Sequence, residues 1–170
     1  MSQSLLTENC QIVNLLPPKD ISAGAHSVAY ISLKNYDAVE FIITMGATGG
    51  IGSSVAVTLR EAKDTSGTSA ANLPIGHYYT NAAAVASAST ANDTWVRTTV
   101  ASSGATFKLT PSTNNITYTI PVKAEQLSVD SSMDCVGVGV GTTGAATLCG
   151  CVAILKGSRY QSSSPPSALS

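Results

Sequence analysis

Beyond Pro17-Pro18 the chain is a succession of short apolar runs, each cut off by Gly, Ser, Asn or Asp. In "SVAVTLREA" the residues Val55, Val57 and Leu59 fall on one face of an extended chain, and in "TYTIPV" Tyr118, Ile120 and Val122 do. A period of two is the signature of a strand with one buried face. The pattern predicts strands over residues 27–33, 39–45, 54–61, 76–79, 94–100, 106–109, 116–122, 135–140 and 147–155. "CVGVGVG" puts Val136, Val138 and Val140 on one face and glycines on the other. Glycines there imply a bulge, a bend or the close approach of another backbone.

Helix signal is scarce. "NAAAVASAST" (81–90) has helix-forming alanines ringed by Ser, Thr and Asn and reads as a variable loop as readily as a helix, while "KAEQLSVD" has room for one turn. Many short strands at turn-punctuated spacing predict an all-β fold, not alternating βαβ units. The expectation is a single-domain antiparallel β-sandwich, jelly roll or barrel over 21–157, preceded by an extended N-terminal arm, 1–20. It is followed by a flexible Ser/Pro-rich tail, 158–170, not expected to pack on its own.

One stretch, "TMGATGGIGSSVAV" (44–57), resembles the glycine-rich turn of a dinucleotide-binding enzyme. Such a turn must lead from a strand into a helix, whose first amides meet the pyrophosphate. Here the following "SSVAVTLREA" carries Val55 and Val57 two apart, which disfavours a helix and favours a strand. The echo of a Tyr-x-x-x-Lys pair, Tyr30 to Lys34, precedes the glycines instead of following them. The reading is a β-hairpin, strand 39–45 joined to strand 54–61 by a glycine-rich loop.

Charge narrows the function classes. Asp, Glu, Lys and Arg make up 11% of the 170 residues, with a formal net charge of −1. No global field recruits nucleic acid or an anionic membrane, and the nine Lys and Arg are spread along the chain. No apolar run approaches the roughly 20 residues that span a bilayer, and "MSQSLLTENCQIVNLLPPKD" lacks the basic start of an export signal. Low charge with abundant Ala, Ser, Thr and Gly suits a chain that buries surface against copies of itself or a partner. It suits a small-residue-rich β-protein equally well.

No catalytic constellation emerges. The acids are scattered singly, without the pairing that metal or glycosidase chemistry needs, and Asp64-Thr65-Ser66-Gly67 is a turn signal. His26 reads as a solvated loop residue, and His77, beside Tyr78 and Tyr79, as part of a packed or interfacial strand. Trp95 fits a core or interface position; with the Tyr78-Tyr79 pair it is also what a carbohydrate-binding module would offer. Of the four cysteines, Cys10, Cys135, Cys149 and Cys151, none has zinc or redox spacing. Cys149 and Cys151 are expected to be free thiols on opposite sides of one strand. No metal or cofactor is expected.

The order of segments resembles a family of small structural proteins of tailed bacteriophages, commonly encoded near the major capsid protein. The likest parts are "VTLREAKDTSGTSA", "AEQLSVDSSMDCVGV" and the closing Arg159-Tyr160-Gln161 with its "PPSAL". The alanine-rich 81–90 departs from the family pattern. The resemblance implies a non-catalytic capsid decoration (cement) protein. Such a protein is made in the bacterial host cytoplasm, sits on the capsid exterior of the virion and binds the major capsid protein. A homo-oligomer is expected, and a trimer suits local threefold positions. Another virion part, in tail or fibre, is the alternative. Candidate capsid contacts are Leu5, Leu6, Ile12, Val13, Leu15 and Leu16, which can dock in grooves or add a strand to an exposed edge. Equally, the arm can be a first strand completing its own sheet.

Overall fold

The computed structural model describes residues 6–24, 26–46, 54–81, 94–101, 106–109, 115–158 and 167–169. A four-residue helix, α1 (Leu6–Asn9), leads into β1 (Gln11–Asp20), β2 (His26–Ser32), β3 (Tyr36–Met45) and β4 (Val55–Ala62). β5 (Ala71–Asn72), β6 (His77–Asn81), β7 (Trp95–Thr99), β8 (Thr106–Leu109) and β9 (Ile116–Lys123) follow, then β10 (Cys135–Val140) and β11 (Leu148–Ser158). Two 3₁₀ turns, Ala124–Gln126 and Val129–Ser131, form where the sequence allows one helical turn. The alanine-rich 82–90 lies outside the described residues.

The strands form two antiparallel sheets packed as a sandwich. The larger has the order β1-β11-β3-β9-β6-β7; the smaller has β2-β10-β4-β5, with β8 sharing the far edge of β4 with β5. Alternation fills the space between them. Val39, Phe41 and Ile43 of β3, Val57 and Leu59 of β4, Ile120 of β9 and Leu155 of β11 are all nearly or fully buried. Each such side chain contributes about 1.5–3 kcal/mol of burial. Tyr78 joins from β6, its ring stacked on Phe107 of the opposite sheet at 5.2 Å.

The glycine-rich stretch is not a hairpin. β3 lies between β11 and β9 in the larger sheet, and β4 lies beside β10 in the smaller one. The connection therefore passes from one sheet to the other. Both strands bury every second residue, so each needs a core face, and placing them in facing sheets satisfies both. Residues 47–53 lie outside the described residues. The strand expected after the glycines is there, and with it the dinucleotide geometry, which needs a helix, is lost.

The arm is also in the fold. Gln11–Asp20 pairs with β11 from Gln11–Leu155 to Asp20–Leu148, so the strand completing its own sheet is the alternative realised. Pro17 and Pro18 are tolerated because β1 is an edge strand, with register shifts between Asn14 and Leu16 and between Leu16 and Lys19. At the other terminus, residues 159–166 lie outside the described residues, yet the tail packs where it is described. Ala168 is 1% exposed, and its carbonyl accepts a hydrogen bond from Ser32 N–H at 2.8 Å. A small apolar side chain fits beside the edge of β2, where an unpaired strand N–H needs an acceptor.

Two further expectations change. Cys149 and Cys151 do not face opposite ways: residues two apart share a strand face, and both thiols are 1% exposed in the core, with Gly150 pointing outward. All four cysteines are free. His26 is half-buried at the start of β2, with Nε2 buried and without a partner. The Asp64 turn is as read: Asp64 Oδ1 accepts from Ser66 and Thr68 N–H at 3.0 Å, and Gly67 supplies the positive φ of 84°.

Candidate interaction surface

On a strand with one buried face, alternate residues point to solvent and are ordinarily polar. The larger sheet departs from this on its outward side. Phe41, Ile43 and Met45 point inward, which leaves Glu40, Ile42 and Thr44 outward; Cys151, Ala153 and Leu155 point inward, which leaves Val152 and Ile154 outward. Register aligns them, with Val152 opposite Ile42 and Ile154 opposite both Glu40 and Ile12. Ile12, Ile42, Val152 and Ile154 thus form an apolar patch across β1, β11 and β3. Lys156 and Glu40 form an ion pair on this face.

The other half of this face is aromatic. Across β9 the register runs from Ile42 through Thr119, which is 7% exposed, to Tyr79 and then Arg97. Tyr79 meets His77 edge to face, ring centroids 5.3 Å apart. Trp95, opposite Asn81, shares the face and is 45% exposed. Partial burial, and then the Arg97 guanidinium, hold the His77 imidazole below its ordinary pKa, which favours the neutral ring. A shallow cleft of about 360 Å³ opens between this hairpin and the Lys123–Gln126 turn.

The sequence-predicted contact residues are dispersed. Leu5 lies outside the described residues, and Leu6 is exposed on α1. Val13 is buried in the core, and Leu15 and Leu16 pack half-buried against it. These two leucines also line a cleft of about 190 Å³ between the sheet edges, together with His26, Ala29, Val138 and Val140. Ile12 alone joins the outward patch. Its partners Ile42, Val152 and Ile154 were missed, although a signal existed. Phe41–Ile43 in "EFIITM" and Cys151–Leu155 in "CVAIL" are unbroken apolar runs, and a strand with a fully solvated face would have broken them at 42, 152 and 154.

Among the described residues, no group of three or more His, Cys, Asp or Glu is placed to hold a metal ion, and no helix is long and apolar enough to cross a membrane. No family model matches the chain, and no curated protein or solved structure does.

Proposed function

We propose that the chain is a capsid decoration protein of a tailed bacteriophage. In this reading it performs no catalysis: it binds the outer surface of the head, contacts the major capsid protein and stabilises contacts between capsomers. The observation that carries the reading is the outward patch of Ile12, Ile42, Val152 and Ile154 on an otherwise complete sandwich. An apolar patch on the outer face of a sheet, rimmed by polar residues, marks a surface suited to a protein contact. The segment order supplies the phage context. Copies of the chain associate, with a trimer the state that suits a local threefold position. Each copy contributes a modest contact, and the many copies on one shell make attachment multivalent.

The test is rebinding to purified heads stripped of this chain. Ile42→Ser and Ile154→Ser each keep the inner face intact and should weaken rebinding by about tenfold or more. Rebinding equal to that of the unaltered chain contradicts the patch as the contact. Light scattering of the free protein tests the trimer, and a monomer at all concentrations removes it.

A further inference from the structure

The aromatic half of the outward face is built differently from the apolar half, and the shell contact proposed above does not call on it. We infer that the cleft between the β6–β7 hairpin and the Lys123–Gln126 turn binds a neutral pyranose sugar. Its volume, about 360 Å³, lies toward the small end of ligand clefts, roughly 300–1,000 Å³.

The wall is a platform. Tyr79 and His77 both line the cleft, and their rings pack edge to face at 90°. An aromatic ring fixed in place offers apolar area with little entropy to lose, and suits the C–H face of a pyranose. The rim is polar on the opposite side. Gln126 Oε1 is engaged by Lys123 N–H at 2.7 Å, which pins the amide and leaves its NH₂ as the free end. Lys123 Nζ lies 3.1 Å from Glu125 Oε1, so the ammonium and carboxylate are held side by side. Every sugar hydroxyl is both donor and acceptor, and this rim offers both.

Charge selects a neutral ligand. Lys123 and Glu125 offset each other, so the rim itself offers a phosphate or carboxylate no net charge, and Arg97, which acts on His77, lies on the next strand outside the lining. An anchored peptide would want a deep apolar hole, whereas this cleft is shallow and Lys123, Glu125 and Gln126 are part of its lining. Trp95 lies one diagonal step from Tyr79, across Asn81 and Arg97. At about 7–8 Å for such diagonal neighbours, it can accept a second ring of an oligosaccharide.

The experiment is an amide-resolved NMR titration of the full chain. The probes are methyl glycosides and short oligosaccharides of glucose, galactose and N-acetylglucosamine, with an unrelated hexapeptide in parallel. Shifts are expected at Gly76–Tyr79 and Lys123–Gln126, with dissociation constants of about 1 mM for the best sugar. Tyr79→Phe keeps the platform and should bind within about threefold, whereas Tyr79→Ala should lose about tenfold. Gln126→Ala, on an exposed turn, is the second variant if Tyr79→Ala unfolds, and should also weaken binding. Co-sedimentation with the corresponding insoluble polysaccharide separates the sources. Retention there together with oligosaccharide binding assigns a surface polymer, and oligosaccharide binding without retention assigns a free sugar. No shift with any sugar at about 10 mM, far above that constant, overturns the inference. So do shifts that survive Tyr79→Ala and Gln126→Ala, and shifts in the cleft caused by the peptide alone. Failure here leaves shell rebinding untouched, because that depends on Ile42 and Ile154.

Discussion

The Ala168 carbonyl accepts the Ser32 N–H at 2.8 Å, and its methyl group is sealed from solvent. Through this contact the last described residues close the β2 edge of the smaller sheet. An aspartate at 168 would bury a carboxylate where a methyl group is now sealed from solvent. Ala168→Asp should therefore cost about 1–3 kcal/mol, and removal of 167–170 should cost a similar amount. Urea unfolding followed by Trp95 fluorescence measures both. Ala168→Gly, which keeps the hydrogen bond, should cost less than either.

Glu61 is 5% exposed and takes both hydrogen bonds of Ser128, from N–H and from Oγ–H, each at 2.7 Å. It ties β4 to the turn between β9 and β10. Glu61→Ala should destabilise by about 2–3 kcal/mol, because a charged acceptor is lost and the Ser128 N–H is stranded. Ser128→Ala removes only the hydroxyl and should cost about 1 kcal/mol. Equal costs for the two would contradict this account of the carboxylate.

Burial pushes the Cys151 thiol up to about 12 and the Cys149 thiol up to about 11, and burial with the neighbouring Asp134 puts Cys135 at about 12. All three are therefore protonated at pH 8, and thiolate is the reactive form. In the native protein a disulfide-exchange reagent should titrate at most one thiol rapidly, that of half-buried Cys10. All four should react on unfolding. Rapid native reaction of two or more would contradict the packing of β10 and β11.

Two exposed aspartates predict the acid limb of stability. Asp20 is held below its ordinary value of 3.8 by the Ser22 N–H and then by that of Thr147, and Asp64 by the Thr68 hydroxyl and then the Thr68 N–H. A lowered folded-state pKa contributes stability that is complete above 3.8. It is lost as pH falls through the lower folded-state value. Thermal melts should show midpoints falling below about pH 4, with a shallower fall in Asp20→Asn and Asp64→Asn. An unchanged slope in both variants would show that these turns do not set it.

Much of the fold is legible in the chain because its strands alternate. β8 and β10 fall where the pattern places them, and most other strands differ by a residue or a few at the ends. What failed depended on partners, which periodicity cannot name. β1 hides behind Pro17-Pro18, admissible only because its outer edge is unpaired. β5 is two residues long and exists because Arg60 and Glu61 of β4 offer it a ladder. The sheet-to-sheet passage from β3 to β4 reads locally like a hairpin, since loop composition does not say which sheet receives the next strand. In the surface, Ile12 was found by its place in the arm. Ile42 and Ile154 sit inside apolar runs, Phe41–Ile43 and Cys151–Leu155, and such a run does not say whether its outer face meets another element or solvent.

The most direct measurement is quantitative mass spectrometry of purified virions, counting this chain against the major capsid protein. A shell-wide decoration protein predicts a copy ratio near one to one or another simple fraction close to it. A few copies per particle, or none, would contradict it.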